Sequence, residues 1–392
     1  MALHAELREN VLYLLLDGRL DTNNAPEIEQ QIEKQRAELA HTTAVLDVEK
    51  LDYISSAGLR VILRLRKAEP TLSVVNASPE VYDVFEMTGF TEMIPVARAY
   101  RHLSVEGCDI IGQGSNGIVY RLDPETIIKV YRNPDCLDDV TKEREISRRA
   151  FVLGIPTAIP YDVVKVGESY GSVFELLNAA SFSELLNQEP ENTDKYIGLY
   201  VDLMKSIHAI QVKPGEFPDS HETVRSWVAY LQPHLPEAAW QKLTALAAAL
   251  PEDWHLIHGD YHVNNVMMQN GEVLLIDMDT LSTGHPIVEL ASVYNAYKGF
   301  GMADPEATQK FFGLSPALAA TVWEKTLAMY LGTEDPAKLQ EVEDKAILLG
   351  CVRLLRRSIR RMDAESEEGR RAVEAYRSMI LERIDRVDSF LF

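Results

Sequence analysis

Residues 258–279 read His-Gly-Asp-Tyr-His-Val-Asn-Asn-Val and, after an apolar run, Leu-Leu-Ile-Asp-Met-Asp. They supply a carboxylate at Asp260, an amide five residues later at Asn265, and another carboxylate at Asp277, behind a strand-like segment. Phosphoryl transfer asks for such a set: one carboxylate to orient an attacking hydroxyl and accept its proton, and hard oxygen ligands for magnesium on nucleotide phosphates. Asp260 is the candidate base, and Asn265 and Asp277 are the candidate metal ligands. His258 and His262 stand four residues apart, a metal-site spacing, but no third ligand accompanies them.

Upstream, residues 110–120 carry a Gly-x-Gly-x-x-Gly-x-Val pattern made by Gly112, Gly114, Gly117 and Val119. Glycines let a backbone fold closely over phosphates, and the valine would close over a nucleotide base. A dinucleotide-binding fingerprint would need a helix directly after the glycines. Here they run into Ile-Val-Tyr-Arg-Leu, which predicts a strand and therefore a hairpin. The next predicted strand, 126–131, embeds Lys129 between apolar neighbours, as in the protein-kinase Val-Ala-Ile-Lys pattern, where the lysine binds the α- and β-phosphates. Such a lysine needs a carboxylate on the following helix, and Glu143 and Glu145 both qualify. The Asp260-to-Asn265 spacing also matches the kinase catalytic loop, with Asp277 in the place of the Asp-Phe-Gly aspartate.

His-Gly-Asp-x-His-x-x-Asn, Ile-Asp-x-Asp and then Gly-His-Pro-Ile-Val-Glu-Leu-Ala at 284–291 resemble the aminoglycoside phosphotransferase and choline kinase superfamily. The resemblance implies a bilobal protein-kinase-like fold, ATP or GTP with Mg2+ as cofactors, and a small-molecule acceptor phosphorylated on a hydroxyl. It favours Glu143 over Glu145 through the spacing to Pro156, makes His258 and His262 loop-fixing hydrogen bonders, and puts the nucleotide hinge at Glu175 and Leu177. Where many relatives have Gly-Asp-Pro, this chain has Gly284-His285-Pro286, so the usual contacts of that loop are in question.

The first hundred residues alternate predicted strands and helices: strand 11–16, helix from Glu27, strand 43–48, helix 59–65, strand 72–75 and helix 80–88. Together with Gly18-Arg19-Leu20-Asp21-Thr22, Ser55-Ser56-Ala57-Gly58 and Met87-Thr88-Gly89-Phe90, this segment resembles the STAS domain of bacterial anti-sigma factor antagonists. The resemblance implies a regulatory or protein-binding role, with Ser56 as the residue a kinase phosphorylates. A serine at a helix N-terminus also serves as a cap, and Ser55 stands where the family often has aspartate.

The expected fold class is therefore α/β and α+β, with a STAS-type sheet-and-helix domain at 1–100, a nucleotide-binding lobe at 101–178 and a helical lobe at 179–392. The net charge of −21 excludes a nucleic-acid partner and tolerates cationic substrates. Three scattered cysteines fit a reducing compartment. No apolar run reaches the roughly 18 residues of a membrane helix, so a cytoplasmic location is expected. The basic run Arg353-Leu354-Leu355-Arg356-Arg357-Ser358-Ile359-Arg360-Arg361 reads as a solvated helix face. Two other functions remain open: a nucleotide-binding pseudokinase scaffold, and a protein-serine kinase acting in an anti-sigma-type pathway, with Ser56 itself as one candidate target.

Overall fold

The computed structural model describes residues 1–114, 117–361 and 366–392. Ser115 and Asn116 of the glycine pattern lie outside the described residues. The chain divides into two compact units, 1–106 with 163–170, and 107–162 with 171–392.

In the first unit the order is β1 (Ala2–Arg8), β2 (Val11–Leu20), α1 (Ala25–Glu38), β3 (Thr43–Ile54), α2 (Ser56–Ala68), β4 (Ser73–Ala77), α3 (Pro79–Met87), α4 (Phe90–Met93) and β5 (Val96–Arg98). The strands form one sheet in sequence order, with β1 antiparallel to β2 and the others parallel. Alternation drives it: Leu12, Leu14 and Leu16 of β2 and Ala44, Leu46 and Val48 of β3 point into the core while their neighbours do not. Each fully buried leucine stabilises the fold by about 1.5–3 kcal/mol. Ile28 and Ile32 of α1 and Val61, Ile62 and Leu65 of α2 close over the same core.

The second unit begins with β6 (Ile110–Gln113), β7 (Gly117–Arg121), β8 (Thr126–Tyr131) and α5 (Leu137–Val152), and β9 (Pro160–Val166) and β10 (Ser169–Glu175) follow, their residues 163–170 counting with the first unit; the strand order is β6-β7-β8-β10-β9. Helices follow: α6 (Phe182–Gln188), α7 (Thr193–His208), α8 (Ser220–Tyr230) and α9 (Glu237–Ala248). The strand signal thins here, yet five short strands occur. They are β11 (Ala180–Ser181), β12 (Leu256–Ile257), β13 (Val266–Gln269), β14 (Glu272–Leu275) and β15 (Ser282–Thr283). They pair as β11-β13-β14 and β12-β15, and thereby frame residues 258–281. The remainder is α10 (Pro286–Tyr294), α11 (Ala307–Phe312), α12 (Pro316–Leu331), α13 (Pro336–Arg361) and α14 (Glu367–Arg383). His285 caps α10 by accepting from Ile287 N at 3.2 Å, the kind of contact that aspartate commonly makes at a helix N-cap. One apolar core runs through this helical part, with Trp323 wholly enclosed. Among the described residues, no helix is long and apolar enough to cross a membrane.

Candidate active site

A cavity of about 430 Å³ opens in the second unit, within the usual range for small ligands. Gly112, Gly114, Gly117, Val119, Lys129, Glu143, Glu175, Leu177, Asn265 and Asp277 all line it. Ile127, Ala158, Phe174, Met267 and Ile276 add apolar wall, which sequence reasoning did not name. Ile127 carried a signal: it stands two residues from Lys129 on β8, hence on the same face.

β8 lies between β7 and β10, with Lys129 opposite Val119 and Ser172, so neighbours on both sides fix its backbone. Lys129 Nζ donates to Glu143 Oε1 at 2.9 Å and to Asp277 Oδ1 at 2.8 Å. Burial works against the ammonium, but Asp277 and Glu143 outweigh it and hold Lys129 well above its ordinary value. Glu143 is itself buried, and the Tyr131 hydroxyl donates to its other oxygen. Glu145 points elsewhere, pairing with Arg148 and Arg149 on the same helix. At Gly117 an added Cβ would sit 2.4 Å from the Val130 carbonyl oxygen, so only glycine lets β7 pair there. The Glu175 carboxylate accepts from Ile159 N at 3.3 Å, and its own N donates to Ile159 O at 3.0 Å.

Asp277 follows β14 with φ 65° and ψ 65°, a left-handed conformation costing a non-glycine residue about 1–3 kcal/mol. Burial and the Asp277 charge push the Asp279 carboxyl up to about 7, with Glu143 and Asp260 adding to the effect. Of these carboxylates Asp277 and Glu143 line the cavity, so two of them face the single ammonium of Lys129 there.

Asp260 does not line this cavity. It sits in the loop after β12, with its side chain 44% exposed and Oδ2 3.6 Å from His262 Nε2. Burial pushes its carboxyl up, but His262, Arg353 and His258 hold it well below the carboxylate range, so it stays ionised. The Asn265 amide donates to Asp260 O at 3.0 Å, tying the two candidate positions together.

The backbone of this loop is held by side chains from beneath. Glu289 of α10, fully buried, accepts from His258 N and, at 2.9 Å, from Gly259 N. Thr280 Oγ1 donates to His258 O, and Ser292 Oγ and Arg353 both donate to Gly259 O. Tyr200 donates to Tyr261 O, and Val263 N donates to the Tyr297 hydroxyl. Gly259 has φ +81°, and a Cβ there would lie 2.8 Å from Thr280 O. His208 lies 3.6 Å from Glu289 and 2.8 Å from the Tyr330 hydroxyl, so it braces the buttress.

The family model described as "Phosphotransferase enzyme family" matches residues 109–329, more than half of the chain. The chain belongs to the phosphotransferase enzyme family. The STAS domain model matches residues 2–103, so a STAS domain precedes the phosphotransferase domain. Over 103 residues, 25% of this chain and 88% of its counterpart, the chain is 36% identical to a Bordetella bronchiseptica protein named as the putative anti-sigma factor antagonist BtrV. Among solved structures, a thermostable mutant of aminoglycoside phosphotransferase APH(4)-Ia with ADP and hygromycin B aligns at TM-score 0.50 and 14% identity. That alignment covers 79% of this chain and 98% of the other, and at such identity the likeness is one of fold. ADP-bound APH(2'')-Ib aligns at TM-score 0.48 and 12% identity, covering 70% of this chain and 95% of that one.

Two expectations need correction. The arginine run of α13 is not simply a solvated face: Arg353 turns inward, donating to Gly259 O at 2.8 Å and Ser292 Oγ at 2.9 Å. No periodicity marks it, because an arginine bound to buried oxygens reads in sequence like any charged helix residue. At the STAS domain's α2, the cap is Ser55, whose Oγ accepts from Gly58 N at 3.3 Å. Ser56 is the first helical residue and is exposed.

Proposed function

We propose that the protein is a nucleotide- and magnesium-dependent phosphotransferase acting on a hydroxyl of a small molecule, with its STAS domain serving regulation or protein binding. The single observation that carries this reading is Lys129 bridging Glu143 and Asp277 inside a cavity that Asn265 also lines. In this reading ATP or GTP occupies the cavity, its base against Val119, Ile127 and Ala158 and the main chain at Glu175 and Leu177. Lys129, held by Glu143, binds the α- and β-phosphates under the turn formed by Gly112, Gly114 and Gly117.

Asn265 and Asp277 line the same cavity and offer the hard oxygen donors that a divalent cation takes, so these two would hold it. Such a cation, when bound, supplies charge stabilisation for the nucleotide phosphates. Asp260, strongly ionised, orients the acceptor hydroxyl. The hydroxyl oxygen bonds to the γ-phosphorus, the bond to the bridging oxygen breaks with its electron pair left on the nucleoside diphosphate, and the proton passes to Asp260. Because its proton affinity is low, Asp260 acts first by orientation and takes the proton late.

The short path from Asp277 to α10, a single 3-10 turn and β15, favours a small acceptor over a protein chain, which would need a longer docking segment. Exposure of Ser56 at the start of α2, at the positive end of the helix dipole, supports its assignment as the regulatory phosphosite. Titration with AMP-PNP tests the nucleotide reading: binding is expected to require Mg2+ and to weaken in Lys129→Ala and Asp277→Asn. Equal binding in Mg2+ and EDTA, unchanged in both variants, would oppose it.

A further inference from the structure

The arginine run of α13 splits into two stripes when wound into a helix. Arg353, Arg357 and Arg361 are spaced by four and share a face, whereas Arg356 and Arg360 lie on the neighbouring one. On the second stripe, Arg356 stacks over Tyr230 at 5.6 Å. The first stripe runs past the catalytic loop. Arg353 is committed to Gly259 O and Ser292 Oγ, and its guanidinium also lies 5.6 Å from the Trp227 ring.

One turn further, the Arg357 guanidinium lies 5.1 Å from the centroid of Phe300. Phe300 in turn packs on Phe311 at 5.8 Å and Phe312 at 6.5 Å, and Phe311 is 59% exposed. Asn264 of the catalytic loop donates to Phe311 O at 2.9 Å, so this aromatic wall is fastened to the loop that carries Asp260. Burial and the like charges of Arg361 and Arg353 hold the Arg357 guanidinium below its ordinary value, while Asp260 and Tyr376 act the other way. Among the described residues, neither Arg357 nor Arg361 has a carboxylate within ion-pair distance. In a chain of net charge −21, where acids outnumber bases, an arginine such as Arg357 that feels the Asp260 charge yet has no carboxylate within ion-pair distance among the described residues is unexpected.

We infer that the acceptor is a hydroxylated anion, a small molecule whose phosphate or carboxylate group is held by Arg357 and Arg361 while its hydroxyl meets Asp260. This rests on the phosphotransferase reading above. Arginine suits such a ligand because its planar fork binds a carboxylate or phosphate in two places, and stacking on Phe300 fixes its plane in advance. The aromatic wall would cover the apolar body of the acceptor, and the anion would relieve the repulsion along the stripe. The local charge thus points the opposite way from the net charge, which by itself tolerates cations.

The test uses the full chain with Mg2+ and either ATP or AMP-PNP, against three sets of probes. The anionic set is glucose 6-phosphate, glycerol 3-phosphate, glycerate and gluconate; the neutral set is glucose and glycerol; the cationic probe is kanamycin. Binding is read as the shift in thermal midpoint with AMP-PNP present, and transfer as acceptor-dependent ATP consumption. Anions are expected to shift the midpoint and to be favoured in turnover, the phosphate and carboxylate members showing which group is preferred. Arg357→Gln and Arg361→Gln are expected to weaken binding or raise KM about tenfold to a hundredfold, as loss of a charge-assisted contact implies, with kcat little changed. Arg357→Lys should recover part of the loss, and Arg360→Gln, on the other stripe, should change nothing. Anion binding that depends on Arg357 without any transfer would uphold the anion site and count against the phosphotransferase reading. Transfer to glucose, glycerol or kanamycin as efficient as to the anions, failure of every anion to bind, or affinity unaltered by Arg357→Gln would overturn the inference.

Discussion

The loop at 258–265 and the glycine hairpin, two parts of the proposed active site, are held in opposite ways. Around residues 258–265, side chains from α7, α10, α13 and the turn after Asp277 accept from or donate to one backbone group after another. Among the described residues the glycine hairpin rests on strand pairing, on Gly114 N donating to Gly117 O at 3.0 Å and on one side chain, Arg132, donating to Gly114 O at 3.5 Å. In the proposed reaction the difference follows from what each would do. A group that orients a hydroxyl loses rate when displaced by about an ångström, whereas a cover over phosphates must let nucleotide pass. Substitutions at the two loops should therefore fail in different ways, in rate and fold at one, in nucleotide affinity at the other.

The largest effect is expected at Asp260. Asp260→Asn should lower turnover by about 10²- to 10⁴-fold while nucleotide affinity, measured by titration, stays within about twofold of the parent. Next comes Glu289→Ala, which strands the buried His258 and Gly259 N–H groups and should cost about 3–5 kcal/mol in denaturant unfolding. Burial pushes the Glu289 carboxyl up, but His208, His258 and the His258 N–H hold it below its ordinary value. Its contribution to stability is thus fully present above the ordinary carboxylate range and is lost as the pH falls through the lowered value. Glu289→Gln should flatten that acid limb of the stability profile.

Much of the cavity was legible because its residues sit at fixed steps along strands and turns: the glycines, then Lys129 one hairpin later, then Asn265 and Asp277 flanking a second hairpin. The STAS sheet was legible for a similar reason, since Leu12, Leu14 and Leu16 alternate plainly. The first strand was not, because β1 is an edge strand whose residues are mostly exposed and offer no apolar period. The two-residue strands β11, β12 and β15 are too short to show any period at all. Hardest to read were the groups beneath the catalytic loop. Glu289, Ser292, Arg353 and Tyr297 act on backbone atoms between 30 and 94 residues distant, and a hydrogen bond to a main chain leaves no pattern in the chain it serves.

Smaller effects separate the glycines. Gly117→Ala, with its Cβ driven to 2.4 Å from Val130 O, should destabilise the unit by about 1–3 kcal/mol. Gly114→Ala meets nothing within 4 Å and should leave thermal stability within about 0.5 kcal/mol, so any effect should appear in nucleotide affinity alone. A Gly114→Ala protein that unfolded as readily as Gly117→Ala would erase the contrast between a hairpin held mainly by strand pairing and a loop held by many side chains.

The most direct measurement follows phosphate from γ-labelled ATP in the full chain, with Mg2+ and with EDTA, across cationic, neutral and anionic acceptors, for the parent and Asp260→Asn. The expected result is acceptor-dependent transfer that requires Mg2+ and disappears in Asp260→Asn while AMP-PNP still binds. Nucleotide binding without transfer to any acceptor, or transfer that survives Asp260→Asn undiminished, would contradict a phosphotransferase built on Asp260.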